Sequence, residues 1–170
     1  GMNLLAIVNG QPKVLSLDQI IAYFIEHRRE VVRRRSQFDL DKARGRFRVV
    51  SALLLAIDYI DRVIELIRSS PDVAAARTSL MAESFKLTPA FMQLLERARE
   101  AATPFGVDFD QKGELHLSEE QAQAILDLRL HRLTGLEREK LEKEASDLTE
   151  TMLYLISVLR DGQLLRKVII

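Results

Sequence analysis

The chain has 170 residues, and its 25 basic and 25 acidic side chains cancel, so net charge singles out neither nucleic acid nor an acidic partner. The absence of cysteine excludes disulfides, a thiol nucleophile and a cysteine-based zinc site, and His27, His116 and His131 are too scattered for a metal cluster. An apolar fraction of 47% suits a globular protein, while no run of about 18 apolar residues exists to span a membrane and no signal-peptide pattern opens the chain. The expected compartment is therefore the cytoplasm.

At the start, Gly1 before Met2 has the form of a protease-cleavage remnant, and "LLRKVII" at the other end stops inside an apolar pattern without a cap. Both ends are expected to be cuts in a longer chain. "LLAIVNGQPKVLSL" sets two apolar runs around Asn9-Gly10, a dipeptide suited to the positive φ angles of a tight hairpin turn, with Pro12 marking an exposed edge. Residues 1–16 therefore read as a β-hairpin. Ser16 and Gln19 form a capping box, and a helical pattern without proline follows from residue 17 to 68, weakened only at Gly45.

Within that helix Leu40, Ala43, Phe47, Val50, Leu54, Ile57, Asp61 and Ile64 keep the alternating spacing of four and three of a coiled-coil seam. Leu141, Ala145, Leu148, Met152, Leu155 and Leu159 repeat it in a second, charged helix over 135–170. The simplest pairing is an antiparallel coiled coil within one chain. The first helix also carries "HRREVVRRR", and from Arg28 to Arg48 nine basic side chains meet three acidic ones. Arg28, Arg29, Arg33, Arg34 and Arg35 are either a sequence-blind phosphate contact or a solvated helix face. No aromatic interleaving for base stacking accompanies them.

Between the two arms, residues 69–134 carry repeated helix starts: Ser70-Pro71, Thr88-Pro89, Ser118 with Gln121, and Thr134 with Glu137. "VDFDQKGELHL" is expected to fold as a small hairpin of its own. These starts describe a compact helical knob. Tyr23, Tyr59 and Tyr154 lie in apolar helical contexts without activating neighbours, so packing is expected of them rather than nucleophilic chemistry. Asp58, Asp61 and Glu65 suit ion pairs with Arg62 or Arg68. No catalytic residue and no metal ligand is assigned.

"LSEEQAQAILDLRLHRLTGLEREK" is apolar on two sides. On a helical wheel Ala122, Ile125, Leu126, Leu130 and Leu133 gather on one side, and Gln121, Ala124, Leu128 and His131 nearly opposite. A knob of about 65 residues rarely buries a helix all round. The second side is therefore expected to meet a second copy of the chain across a two-fold axis.

Three stretches, "HRREVVRRRSQFDLDKAR", "AIDYIDRVIELIRSS" and "LSEEQAQAILDLRLHRLTGLEREK", resemble the coiled-coil and exit-gate region of bacterial type IIA topoisomerases. The resemblance is nearest to gyrase A-type subunits, with topoisomerase IV A-type subunits next. It covers nearly the whole chain apart from 85–116, and "ARGRF" departs from the alanine-rich pattern expected there. The resemblance implies a mainly α fold, with a long antiparallel coiled coil, a small helical knob and a short N-terminal β-hairpin. It implies a homodimer closed through the knob, duplex DNA as substrate of the parent enzyme, and a gyrase B-type partner in an A2B2 assembly. ATP and Mg2+ would be bound by that partner, with no cofactor in this segment. The family's nucleophilic tyrosine follows an arginine; none of Tyr23, Tyr59 and Tyr154 does, so the segment by itself is expected to be inactive. Two other readings stay open: a free-standing coiled coil that binds DNA through its basic helix, and a structural adaptor coiled coil.

Overall fold

The computed structural model describes residues 4–102, 114–128 and 135–161. The protein is mainly α, with an N-terminal hairpin. It divides into two compact units, Gly1–Asp39 with Ser157–Ile170, and Leu40–Ile156.

In the first unit, β1 (Leu4–Val8) pairs antiparallel with β2 (Gln11–Leu15) in a register that sets Leu4 against Leu15 and Val8 against Gln11. Asn9 and Gly10 take φ of 52° and 77°, the paired positive values that the right-handed twist of a two-residue hairpin requires. Ser16 then starts α1 (Leu17–Asp58). Its N–H donates to Gln19 Oε1 at 3.0 Å, which is half of the expected capping box. The other half is replaced, because the Ser16 hydroxyl donates to the Asp18 carboxylate. That hydrogen bond, with backbone N–H groups of the first turn, holds Asp18 below the usual carboxylate range.

The second unit begins on α1. Leu40, Ala43, Phe47, Val50 and Leu54 are buried, as a seam requires. From Val50 to Ala56, however, every residue is buried, so this part of α1 is a core helix enclosed on all sides rather than one half of a two-helix seam. α1 ends at Asp58. Tyr59, at φ −113° and ψ 32°, breaks the helix expected to run on to residue 68, and α2 (Ile60–Ser69) follows. The break is anchored from outside: Tyr59 Oη donates to the Lys86 carbonyl at 2.6 Å, and its ring meets Phe85 edge-on at 5.6 Å.

α3 (Val73–Ala82) starts from Asp72, whose carboxylate accepts the Ala75 N–H at 2.7 Å. The Ser70-Pro71 start expected from the sequence therefore lies before the helix, and the Ser70 hydroxyl donates instead to the Leu66 carbonyl at the end of α2. β3 (Phe85–Lys86) pairs antiparallel with β4 (Glu114–Leu115). Leu115 and Glu114 thus find a partner about 30 residues back; the turn and first strand of the hairpin expected over 107–117 lie outside the described residues, which exclude 103–113. α4 (Pro89–Ala102) starts as expected, with Thr88 Oγ1 accepting the Phe91 N–H, and buries Phe91, Leu95 and Ala98 on one face. α5 (Glu119–Leu126) and α6 (Gly135–Arg160) complete the elements.

Within this unit α1 and α6 run antiparallel. Arg46 pairs with Glu144 through two bonds of 2.6 and 3.0 Å, and Asp58 pairs with Arg138 at 2.8 Å, so partner numbers fall as α1 numbers rise. Among the described residues no helix is long and apolar enough to cross a membrane.

Candidate functional site

The two-sided stretch is not one helix. α5 ends at Leu126 with Asp127 as its C-cap, and α6 begins at Gly135; residues 129–134, including Leu130, His131 and Leu133, lie outside the described residues. Ser118 and Gln121 make the full reciprocal capping box. That box pulls the Gln121 side chain back toward the N-cap, where its Nε2 donates to the Arg48 carbonyl at 3.1 Å. Gln121 is therefore only 2% exposed, turned into its own chain rather than placed on the outer face where the wheel sets it. Ala122 and Ile125 are buried beside it, as expected of the inner face. Ala124 on α5 and Leu128 just beyond its end are both half-buried, while Glu119, Glu120 and Asp127 are exposed.

Ion pairs brace α5. Arg48 pairs with Glu120, Arg77 pairs with Glu119 at 2.9 Å, and Gln123 Nε2 donates to Asp127 at 3.0 Å. These contacts fix α5 against α1 and α3. Sequence reasoning missed Arg48 and Arg77 as braces, because their partners lie 72 and 42 residues away.

The seam residues separate into three groups. Phe47, Val50, Leu54, Leu141, Met152 and Leu155 are buried. Ile57 and Leu148 are half-buried, and Asp61 is exposed beyond the break at Tyr59. In place of Leu148, α6 buries Thr149, whose hydroxyl donates to the Ala145 carbonyl at 2.8 Å and so needs no other partner. Tyr23 and Tyr154, expected to pack, are exposed instead.

The basic run does not form one face. With about 100° per residue, Arg28 and Arg35 share a direction, Arg29 and Arg33 stand on another side, and Arg34 on a third. Arg29 pairs with Glu26 at 3.5 Å and Arg34 with Glu30 at 2.7 Å, each within α1. Arg44, from the same charged stretch, is buried and donates to the Ala101 carbonyl at 2.6 Å, capping the end of α4.

An ion-pair cluster at Arg62 joins α2 to the end of α3. Arg62 holds Glu83 by two bonds of 2.9 and 3.0 Å and Glu65 by one of 2.8 Å. Its hydrogen bonds keep Glu83 below the ordinary glutamate range and raise Arg62 further. Arg138 is raised chiefly by its hydrogen bond to Glu142 and by the Asp58 charge. Among the described residues no group of three or more His, Asp or Glu could hold a metal ion. Among the described residues the arrangement offers surfaces and ion-pair braces.

Among known proteins, the family of A subunits of DNA gyrase and topoisomerase IV matches residues 1–170. The DNA gyrase A subunit of Escherichia coli (strain K12) is 48% identical over 150 residues, covering 85% of this chain and 17% of its own length. That of Pseudomonas aeruginosa is 43% identical over 173 residues, with coverage of 99% and 19%. That of Clostridium acetobutylicum is 42% identical over 161 residues, with coverage of 95% and 16%. The chain spans less than a fifth of the length of these relatives.

Proposed function

Because the chain belongs to the family of DNA gyrase and topoisomerase IV A subunits, we propose that it is the coiled-coil and exit-gate segment of a type II topoisomerase. The observation that carries this reading is α5. It is braced by Arg48–Glu120 and Arg77–Glu119 and presents Ala124 and Leu128 outward. Two copies meeting there across a two-fold axis bury small apolar side chains with no ion pair to break, which suits a contact that must hold and also open. Ala124, Leu128 and His131 form the gate contact, and Gln121 acts behind it by fixing α5 to Arg48. In the parent enzyme the substrate is duplex DNA, passed through a transient double-strand break. ATP and Mg2+ are bound by a gyrase B-type partner in an A2B2 assembly. This segment cuts nothing. The basic run, Arg28, Arg29, Arg33, Arg34 and Arg35, would line the cavity and meet the passing duplex through sequence-blind phosphate attraction.

The test is a Leu128→Cys substitution in an otherwise cysteine-free intact subunit. Oxidation is expected to give a covalent dimer that still cleaves DNA but no longer completes strand passage. Failure to cross-link while supercoiling persists would overturn the gate assignment.

A further inference from the structure

Gln121 stands at the third position of α5, where a capping box is served equally well by glutamate, because the box asks of that side chain only an acceptor. Here the side chain has a second partner. Its Oε1 accepts the Ser118 N–H at 2.9 Å, and its Nε2 donates to the Arg48 carbonyl of α1 at 3.1 Å. Inside a helix that carbonyl already faces the N–H four residues on, and its second lone pair is free to accept. It cannot donate. A carboxylate in place of the amide would keep the cap but set two acceptors against each other. All these groups lie within the one unit Leu40–Ile156.

The other ties on α5 are the ion pairs Arg48–Glu120 and Arg77–Glu119. Their glutamate side chains are 54% and 71% exposed, so water screens both pairs. Gln121 is shut away at 2% exposure, where solvent does not replace a hydrogen bond left unmade. We propose that Gln121 is a positioning residue: its amide is the tie that sets α5 on α1, and the ion pairs beside it are secondary. The tie itself rests on contacts within one chain. That it serves to hold Ala124 and Leu128 in place for a second copy rests on the gate assignment.

The experiment is hydrogen exchange of the α5 amides in this chain, read by mass spectrometry, with Gln121→Glu, Gln121→Met and Glu120→Gln. At neutral pH both Gln121 substitutions are expected to lower the protection of α5 about tenfold or more and to leave that of α4 unchanged. Glu120→Gln should lower it less than about threefold. In acid, a buried carboxyl at this place takes up a proton, and its O–H can donate to the Arg48 carbonyl as the amide does. Protection should then return in Gln121→Glu and stay low in Gln121→Met, which a loss of packing alone would not produce. The charged groups facing this place are Arg48 on α1, Arg77 on α3 and Glu119 and Glu120 on α5. Protection is taken relative to the parent chain at the same pH, so the titration of those two glutamates cancels. Unchanged protection in Gln121→Glu at neutral pH would overturn the proposal. So would a loss that acid does not reverse, or a loss as large in Glu120→Gln. Sedimentation of the same variants separates the two readings: a loosened α5 with unchanged self-association contradicts the gate assignment and leaves the tie standing.

Discussion

Ser51 sits on the enclosed part of α1 at 0% exposure, and its hydroxyl has no hydrogen-bond partner among the described residues. Burying an unpaired hydroxyl costs free energy that an apolar side chain of nearly the same size avoids. Ser51→Ala is therefore expected to stabilise the protein by about 1 kcal/mol, read as a higher midpoint in thermal unfolding. A lower midpoint would mean that the hydroxyl has a partner. Glu83 is the opposite case, a carboxylate held by Arg62 below its ordinary range. Its contribution is present above the unfolded-state pKa and lost as pH falls through the lower, folded-state value. Stability of the parent chain minus that of Glu83→Gln should thus be constant near neutral pH and shrink below the ordinary glutamate range. A difference that does not change with pH would contradict the bridge. Neither residue is legible in sequence. Ser51 reads as a helix surface residue, and Arg62 reads as a partner for Glu65, which it is, without showing that Glu83 returns from the end of α3.

At the scale of elements, the hairpin turn, the starts of α1, α4 and α5, and the buried line Leu40–Ala43–Phe47–Val50 are legible, because each depends on residues within a few positions of one another. What is not legible depends on distant partners. Tyr59 breaks the helix because Lys86 and Phe85 hold its side chain, and no local pattern announces that. Leu115 pairs with Phe85 across a long insertion for the same reason. In Val50–Ala56 every residue is buried, so the seam positions are not distinguished from the rest of the helix there. Gly45 is the weak point of α1 by propensity, and the structure has open space where a Cβ would lie, with no positive φ. Gly45→Ala should therefore stabilise by about 1 kcal/mol, raising the unfolding midpoint by about 2–4 °C. A fall would show that the glycine is needed for close approach by something the isolated chain lacks.

For the whole molecule, the outward side of α5 is the surface proposed to join two copies of the chain. The wheel brings Gln121, Ala124, Leu128 and His131 together on that side. Of these, Gln121 is turned inward by its capping box, and Ala124 and Leu128 stay partly uncovered. On the wheel Gln121 lies about 40° from Ile125, so it stands at the edge of the buried face rather than at the centre of the opposite one. The direct measurement is sedimentation equilibrium of this chain across a hundredfold range of concentration, with and without Ala124→Glu and Leu128→Glu together. The expected result is a dimer that the paired substitutions convert to a folded monomer. A chain that is monomeric at every concentration, or a dimer indifferent to both glutamates, would contradict the gate assignment.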